Sequence, residues 1–191
     1  MLTIQESIDL VQSRIRGKRK WTDSAAYIHS LRVYELLKKH GFDEDTQLAG
    51  LLHDIIEDSW KKDENWEEIE KKMTFEDIKE LWYSDNIINL INLSTLDNLD
   101  WDSYERWERM LKKIIQENNK DAWAVKLADI SDNLTECHLM PNKEKLDIFL
   151  NKKCPVFIYY GNKYFWWTEF YNEFLERYFG QIKSYNQYFI S

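Results

Sequence analysis

The sequence is poor in residues that break helices: five glycines and two prolines in 191 positions. So few turn formers exclude an all-β chain built on many tight reversals and favour helices. The two cysteines, Cys137 and Cys154, are too few for a disulfide framework, and no CxxC metal motif is present. No run approaches the 18 or so apolar residues that a membrane helix needs. The start, MLTIQESIDLVQSRIRGKRK, is polar and amphipathic, without the apolar core of a signal peptide. We therefore expect a cytoplasmic protein with no membrane partner. Positive charge is also in deficit, with a formal net charge of −8. Phosphates repel such a balance, so neither DNA nor RNA is an expected partner. A local basic pocket for a small anion remains compatible with it.

What is there is a soluble, 43% hydrophobic chain of a length that suits one domain. Thr3 and Glu6 form a capping box for a helix to about Arg16. Ser24 is placed to cap a second helix, with Ala25, Ile28, Val33, Leu36 and Leu37 at apolar spacing and Gly41 as its stop. Asp43 starts a third, whose stripe is Leu48, Leu51, Leu52, Ile55 and Ile56. Glu57 to Glu80 reads as short surface helices with Trp66, Ile69, Phe75, Ile78 and Leu81 on one face. Asp102 and Glu105 open a further helix to about Gln116, and another spans Asp121 to Leu139 before Pro141.

Fifteen of the 29 aromatic residues fall between Pro155 and Ser191. VFIYY at 156–160 leaves a very short strand pair open. Beyond it Tyr164, Trp167, Tyr171, Phe174, Leu175 and Tyr178 recur at helical spacing, which favours a closing helix packed on the core over a homo-oligomer interface. The expected organisation is one all-α domain over 1–191, with a core at about 3–140 and an aromatic helical extension at about 155–191.

The chemistry concentrates in three short segments. LLHDIIEDS sets His53, Asp54, Glu57 and Asp58 on one side of a helix, opposite the apolar stripe. Three carboxylates within five residues repel one another unless solvent or a cation neutralises them. In AWAVKLADISDNL, Asp129 sits among Val125, Leu127, Ala128 and Ile130, where a carboxylate is costly unless paired or bound to metal. Upstream, His29 lies near the Val33 and Leu36 stripe. Singly, His29 reads as a core histidine, the acidic triplet as a solvated helix end and Asp129 as a paired carboxylate. Together, His29, His53, Asp54 and Asp129 suit one divalent first-row metal; mixed N and O donors favour Mn or Fe over a thiolate zinc site. Glu57 or Asp58 would then orient water and accept its proton. Arg16, Arg19, Lys20 and Lys126 are the cations available for substrate phosphates.

The segments RK…YIH at 19–29, HDIIED at 53–58 and VKLADISDN at 125–133 resemble the HD-domain phosphohydrolases. The fuller set is similar to the hydrolase domain of RelA/SpoT proteins and to small single-domain alarmone hydrolases. The likeness spans about Ile8 to Asn133. It implies an all-helical HD-domain bundle and a Mn²⁺-dependent 3′-pyrophosphohydrolase acting on guanosine tetra- or pentaphosphate. By that likeness His29, His53, Asp54 and Asp129 are metal ligands, Glu57 and Asp58 prepare the attacking water, and Asn133 touches the nucleotide. Arg19 and Lys20 approximate the family's basic pair. The sequence departs from the pattern at Ser30 in place of Pro, at Asp132 in place of His, and at Glu136, which would read a guanine N–H pair or select another base. Two alternatives stand beside this reading: an HD-type 5′-nucleotidase, disfavoured by the Glu57–Asp58 pair, and a helical module that binds nucleotide without turnover.

Overall fold

Helix-forming segments with side-chain caps set the architecture. The computed structural model describes residues 2–19, 21–59, 72–96 and 103–190. Helix α1 (Ile4–Arg14) starts at the expected capping box, in which the Thr3 hydroxyl accepts from the Glu6 amide and the Glu6 carboxylate accepts from the Thr3 amide. Helix α2 (Tyr27–Lys39) begins two residues later than the Ser24 cap predicts. Ser24 is instead tied to Thr22 Oγ1, and the backbone of 17–26 closes on itself through an isolated antiparallel bridge between Lys18 and Ala25. Gly41 ends the helix at φ +72°, the left-handed conformation expected of a stop glycine.

Helix α3 (Glu44–Leu52) is capped by the Asp43 side chain, which accepts from Thr46 N. Here the structure corrects the expected continuous helix. The chain breaks at His53 and Asp54 and resumes as the single turn α4 (Ile55–Asp58). Leu48, Leu51, Leu52, Ile55 and Ile56 are nonetheless all buried, as the stripe predicts. Helices α5 (Phe75–Glu80) and α6 (Asp85–Ser94) are capped by Thr74 and Ser84. Trp66, Ile69 and Asp102 lie outside the described residues. Helix α7 (Ser103–Glu117) follows.

Helix α8 (Lys120–Glu136) is buried from Ala122 to Asp132 and packs against α2, α3 and α6. A helix enclosed on every side is the centre of its bundle. After a 3₁₀ turn (Cys137–Leu139) come α9 (Lys143–Asp147), a wider π turn (Ile148–Lys153), α10 (Cys154–Phe165) and α11 (Glu169–Ile190). Residues 156–160 are thus helical, not strand. Phe157, Gly161 and Phe165 are buried at four-residue spacing, and the four-residue period belongs to a helix.

The aromatic tail is core. Phe165, Phe170, Tyr171, Phe174 and Tyr178 are buried, and Tyr160 stacks on Trp123 of α8 with ring centroids 4.0 Å apart. Trp167 departs from the predicted stripe. It is exposed in the reversal between α10 and α11 at φ +65°. Among the described residues no helix is long and apolar enough to cross a membrane.

Candidate metal centre

The centre is assembled where α2, the α3–α4 break and α8 meet. Gly50 makes the approach possible. A Cβ there would stand 2.3 Å from Leu37 Cδ1 and 3.3 Å from Val33 Cγ1 of α2. Three residues on, the chain breaks, and His53 turns inward against His29 with ring centroids 5.1 Å apart. Donor atoms of His29, His53 and Asp129 lie within 4.8 Å of one another, all buried. Asp54 completes the group: its Oδ1 is 3.2 Å from His53 Nε2 and its Oδ2 3.7 Å from His29 Nε2. It is the most exposed of the four, so the centre opens on its side.

The donor set fits a divalent cation. His53 Nδ1 donates to the Gly50 carbonyl at 2.7 Å, so its proton is there and Nε2 carries the lone pair. That Nε2 is buried without a hydrogen-bond partner, facing carboxylate oxygens of Asp54 and, at 3.9 Å, Asp129. A lone pair turned toward two anions in a dry site is unfavourable unless a cation stands between them. The same excess of negative charge acts on the imidazoles. Burial lowers the His29 pKa, but the hydrogen bonds it donates to Asp129 and Asp132 outweigh it and push it up to about 9. Asp129 is held well below the usual carboxylate range: burial opposes this, and Lys126, His29 and His53 prevail.

The residues expected to prepare water lie on α4. Burial, then the charge of Asp54, pushes the Glu57 carboxyl up to about 7. Glu57 Oε1 accepts from the Leu96 amide at 2.7 Å. Asp58 sits in the same turn, its amide donating to the Asp54 carbonyl at 2.7 Å.

The residues expected to hold substrate separate into three groups. Lys126 is buried and spends its ammonium on Asp129 Oδ2 at 2.5 Å, so it neutralises a ligand. Arg19 and Asn133 stand at the centre: Arg19 Nη2 donates to Asn133 Oδ1 at 2.9 Å, and Asn133 Nδ2 donates to Asp129 Oδ1 at 2.6 Å. Arg16 is exposed, its Nε on the Ser13 carbonyl, and takes no part in this cluster. Lys20 lies outside the described residues.

The sequence does not reveal the partners of three residues around the centre. Asp132 was a departure from a motif; in the structure it is buried with Oδ2 2.6 Å from His29 Nδ1. Arg32 faces Asp132, its Nε 2.7 Å from Oδ1 as an ion pair. Glu136, expected near a base, has both oxygens occupied: Oε2 by Arg19 Nε and Oε1 by Arg32 Nη2, each at 2.6 Å. The signal was the spacing. Residues 129, 132, 133 and 136 share one face of a helix, as do 29 and 32.

Residues 7–145 match the HD domain family, and the chain belongs to it. Family and donor set together define the class as a metal-dependent phosphohydrolase. Two of the solved structures similar to the chain illustrate its fold. One is a metazoan orthologue of SpoT that hydrolyses ppGpp and plays a role in starvation responses. Its TM-score is 0.72 at 20% identity, with 95% of this chain and 97% of that one covered. The other is a Listeria monocytogenes protein with a TM-score of 0.52 at 23% identity, covering 86% of this chain and 96% of that one. At these identities the likeness is one of fold. No curated protein matches the sequence.

Proposed function

We propose that this chain uses a divalent cation, Mn²⁺ by preference, to hydrolyse the 3′-pyrophosphate of (p)ppGpp-like purine nucleotides, releasing pyrophosphate. The observation that carries the reading is the buried His29–His53–Asp129 group, closed by Asp54, with the unpartnered His53 Nε2 aimed into it and Glu57 beside it. The resemblance of three motifs to alarmone hydrolases supplies the substrate class, and the similar metazoan structure, which hydrolyses ppGpp, supports it.

His29, His53, Asp54 and Asp129 would hold the cation. Such an ion lowers the pKa of its water and polarises a phosphoryl oxygen. Glu57 is poised to take the proton of the attacking water. Oε1 is fixed on the Leu96 amide, and its raised pKa is suited to a base working near neutrality. Asp58, on the same turn, shares the orientation of that water. Lys126 keeps Asp129 ionised. Arg19 is pre-oriented by Glu136 and Asn133, and its remaining guanidinium N–H groups serve the substrate phosphates. The α10–α11 extension packs on α8, which carries Asp129, and we read 1–191 as one working unit.

The test is a nucleotide panel with Mn²⁺, resolved by chromatography. We expect turnover of guanosine or adenosine nucleotides bearing a 3′-diphosphate, with pyrophosphate as product. Cleavage of 5′-monophosphates alone, with orthophosphate released, would replace this reading with a 5′-nucleotidase. Metal binding without turnover of any nucleotide would leave a binding module.

A further inference from the structure

A closed ring of polar contacts surrounds one side of the centre. It runs from His29 Nδ1 to Asp132, to Arg32, to Glu136, to Arg19, to Asn133, to Asp129 and back to His29 Nε2 at 3.1 Å. Within it His29 and His53 are oriented by different means. His53 Nδ1 donates to a neutral carbonyl, that of Gly50, whereas His29 Nδ1 meets a carboxylate.

We propose that Asp132, clamped by Arg32, is a positioning residue that makes His29 a ligand through Nε2 and sets the affinity of the centre for a divalent cation. The inference rests on the metal-centre reading above and not on the identity of the nucleotide. An imidazole can carry its proton on either nitrogen. An ionised carboxylate only accepts, so Asp132 holds a proton on Nδ1, and Nε2, facing Asp54 and Asp129, is the nitrogen that ligates once a cation takes the place of its proton. An anion behind the ring also raises the basicity of the ligating nitrogen more than a carbonyl does. Asp132 is itself buried, and such a charge is tolerated only when paired. Arg32 supplies the pair at 2.7 Å to Oδ1 and 3.1 Å to Oδ2, and Glu136 anchors Arg32 in turn. The carboxylate therefore has no freedom to swing off His29.

The experiment titrates the full chain, stripped by chelator, with Mn²⁺ alone and reads bound metal by electron paramagnetic resonance. A parallel titration with Co²⁺ reads the visible ligand-field bands. The variants are Asp132→Asn, Arg32→Gln and the double. Asp132→Asn keeps the shape and one acceptor oxygen but loses the charge. We expect it to bind Mn²⁺ 10–100-fold more weakly, the range typical for loss of such a partner behind a metal ligand, with shifted Co²⁺ bands. Arg32→Gln should weaken binding less, and the double variant no more than Asp132→Asn. Wild-type affinity and an unchanged Co²⁺ spectrum in Asp132→Asn would overturn the proposal, and fully additive losses would overturn the clamp. Should Asp132→Asn not fold, Arg32→Gln decides by the same two readouts, because Arg32 is partly exposed and its loss leaves Asp132 on His29. A wild-type chain that binds no Mn²⁺ would instead refute the metal centre itself.

Discussion

Gly50 and Leu37 are in such close approach that a single methyl group at Gly50 would stand 2.3 Å from Leu37 Cδ1. The contact joins α3 to α2 three residues before His53, so the spacing of the two helices is also the spacing of His53 and His29. Gly50→Ala gains up to about 1 kcal/mol of helix propensity. Leu37 is fully buried, so its side chain must shift within a packed core, and overpacking costs about 1–3 kcal/mol. We expect a net loss of stability and weaker metal binding, read as a lower melting temperature and a right-shifted Mn²⁺ titration. A higher melting temperature with wild-type metal affinity would show that the close approach is not a constraint.

Glu57→Gln should separate binding from chemistry. The amide keeps the acceptor for the Leu96 N–H but cannot take a proton. We expect metal and nucleotide to bind as before and kcat to fall about 10²–10⁴-fold, the usual contribution of a general base. Steady-state kinetics at saturating Mn²⁺ decide this. Unchanged kcat would move the role to Asp58.

The docking of α11 should be acid-sensitive. Glu173 accepts from Lys39 and His40 of the α2 end, both at 2.8 Å, and from Arg177 on its own helix. Burial by itself would raise its pKa, but these partners together prevail and hold it at about 2, below an ordinary value of 4.5. A carboxylate lowered by folding stabilises fully above its unfolded pKa, and the gain is lost as pH falls through the folded one. Stability owed to Glu173 is thus present above about pH 4.5 and disappears toward pH 2. Glu173 is partly buried and its Lys39 partner is exposed, so solvent screens part of the pairing and Glu173→Gln should cost about 1 kcal/mol at neutral pH. The cost should shrink on acidification. Melting curves for both proteins from pH 7 to 3 give the comparison, and a gap that stays constant contradicts it.

Much of this was legible in the sequence because it is written in local periodicity. The capping box at Thr3, the cap at Asp43, the stop at Gly41 and the Leu48-to-Ile56 stripe are short-range signals that folding does not override. His29 and Asp129 stood out as polar groups among apolar neighbours, His53 and Asp54 as part of an acidic helix end opposite the stripe, and the structure brings the four together. Three things were hidden. The break at His53–Asp54 leaves the stripe buried, so periodicity alone reads straight through it. Ser24 loses its cap to the Lys18–Ala25 bridge, a tertiary event. The partnership of Asp132 with Arg32 joins residues 100 positions apart, and no local pattern records that pairing.

The proposed centre holds one divalent ion through four side chains at the heart of the bundle. Its most direct measurement is the number of Mn²⁺ ions bound per chain, by electron paramagnetic resonance, in the wild type, His53→Ala and Asp54→Asn. The account gives one ion per wild-type chain, sharply weakened binding in both variants, since a methyl group cannot ligate and an amide is a poorer ligand than a carboxylate, and hydrolysis that stops in excess chelator. Wild-type stoichiometry and affinity in both variants, or full turnover by protein free of metal, would contradict it.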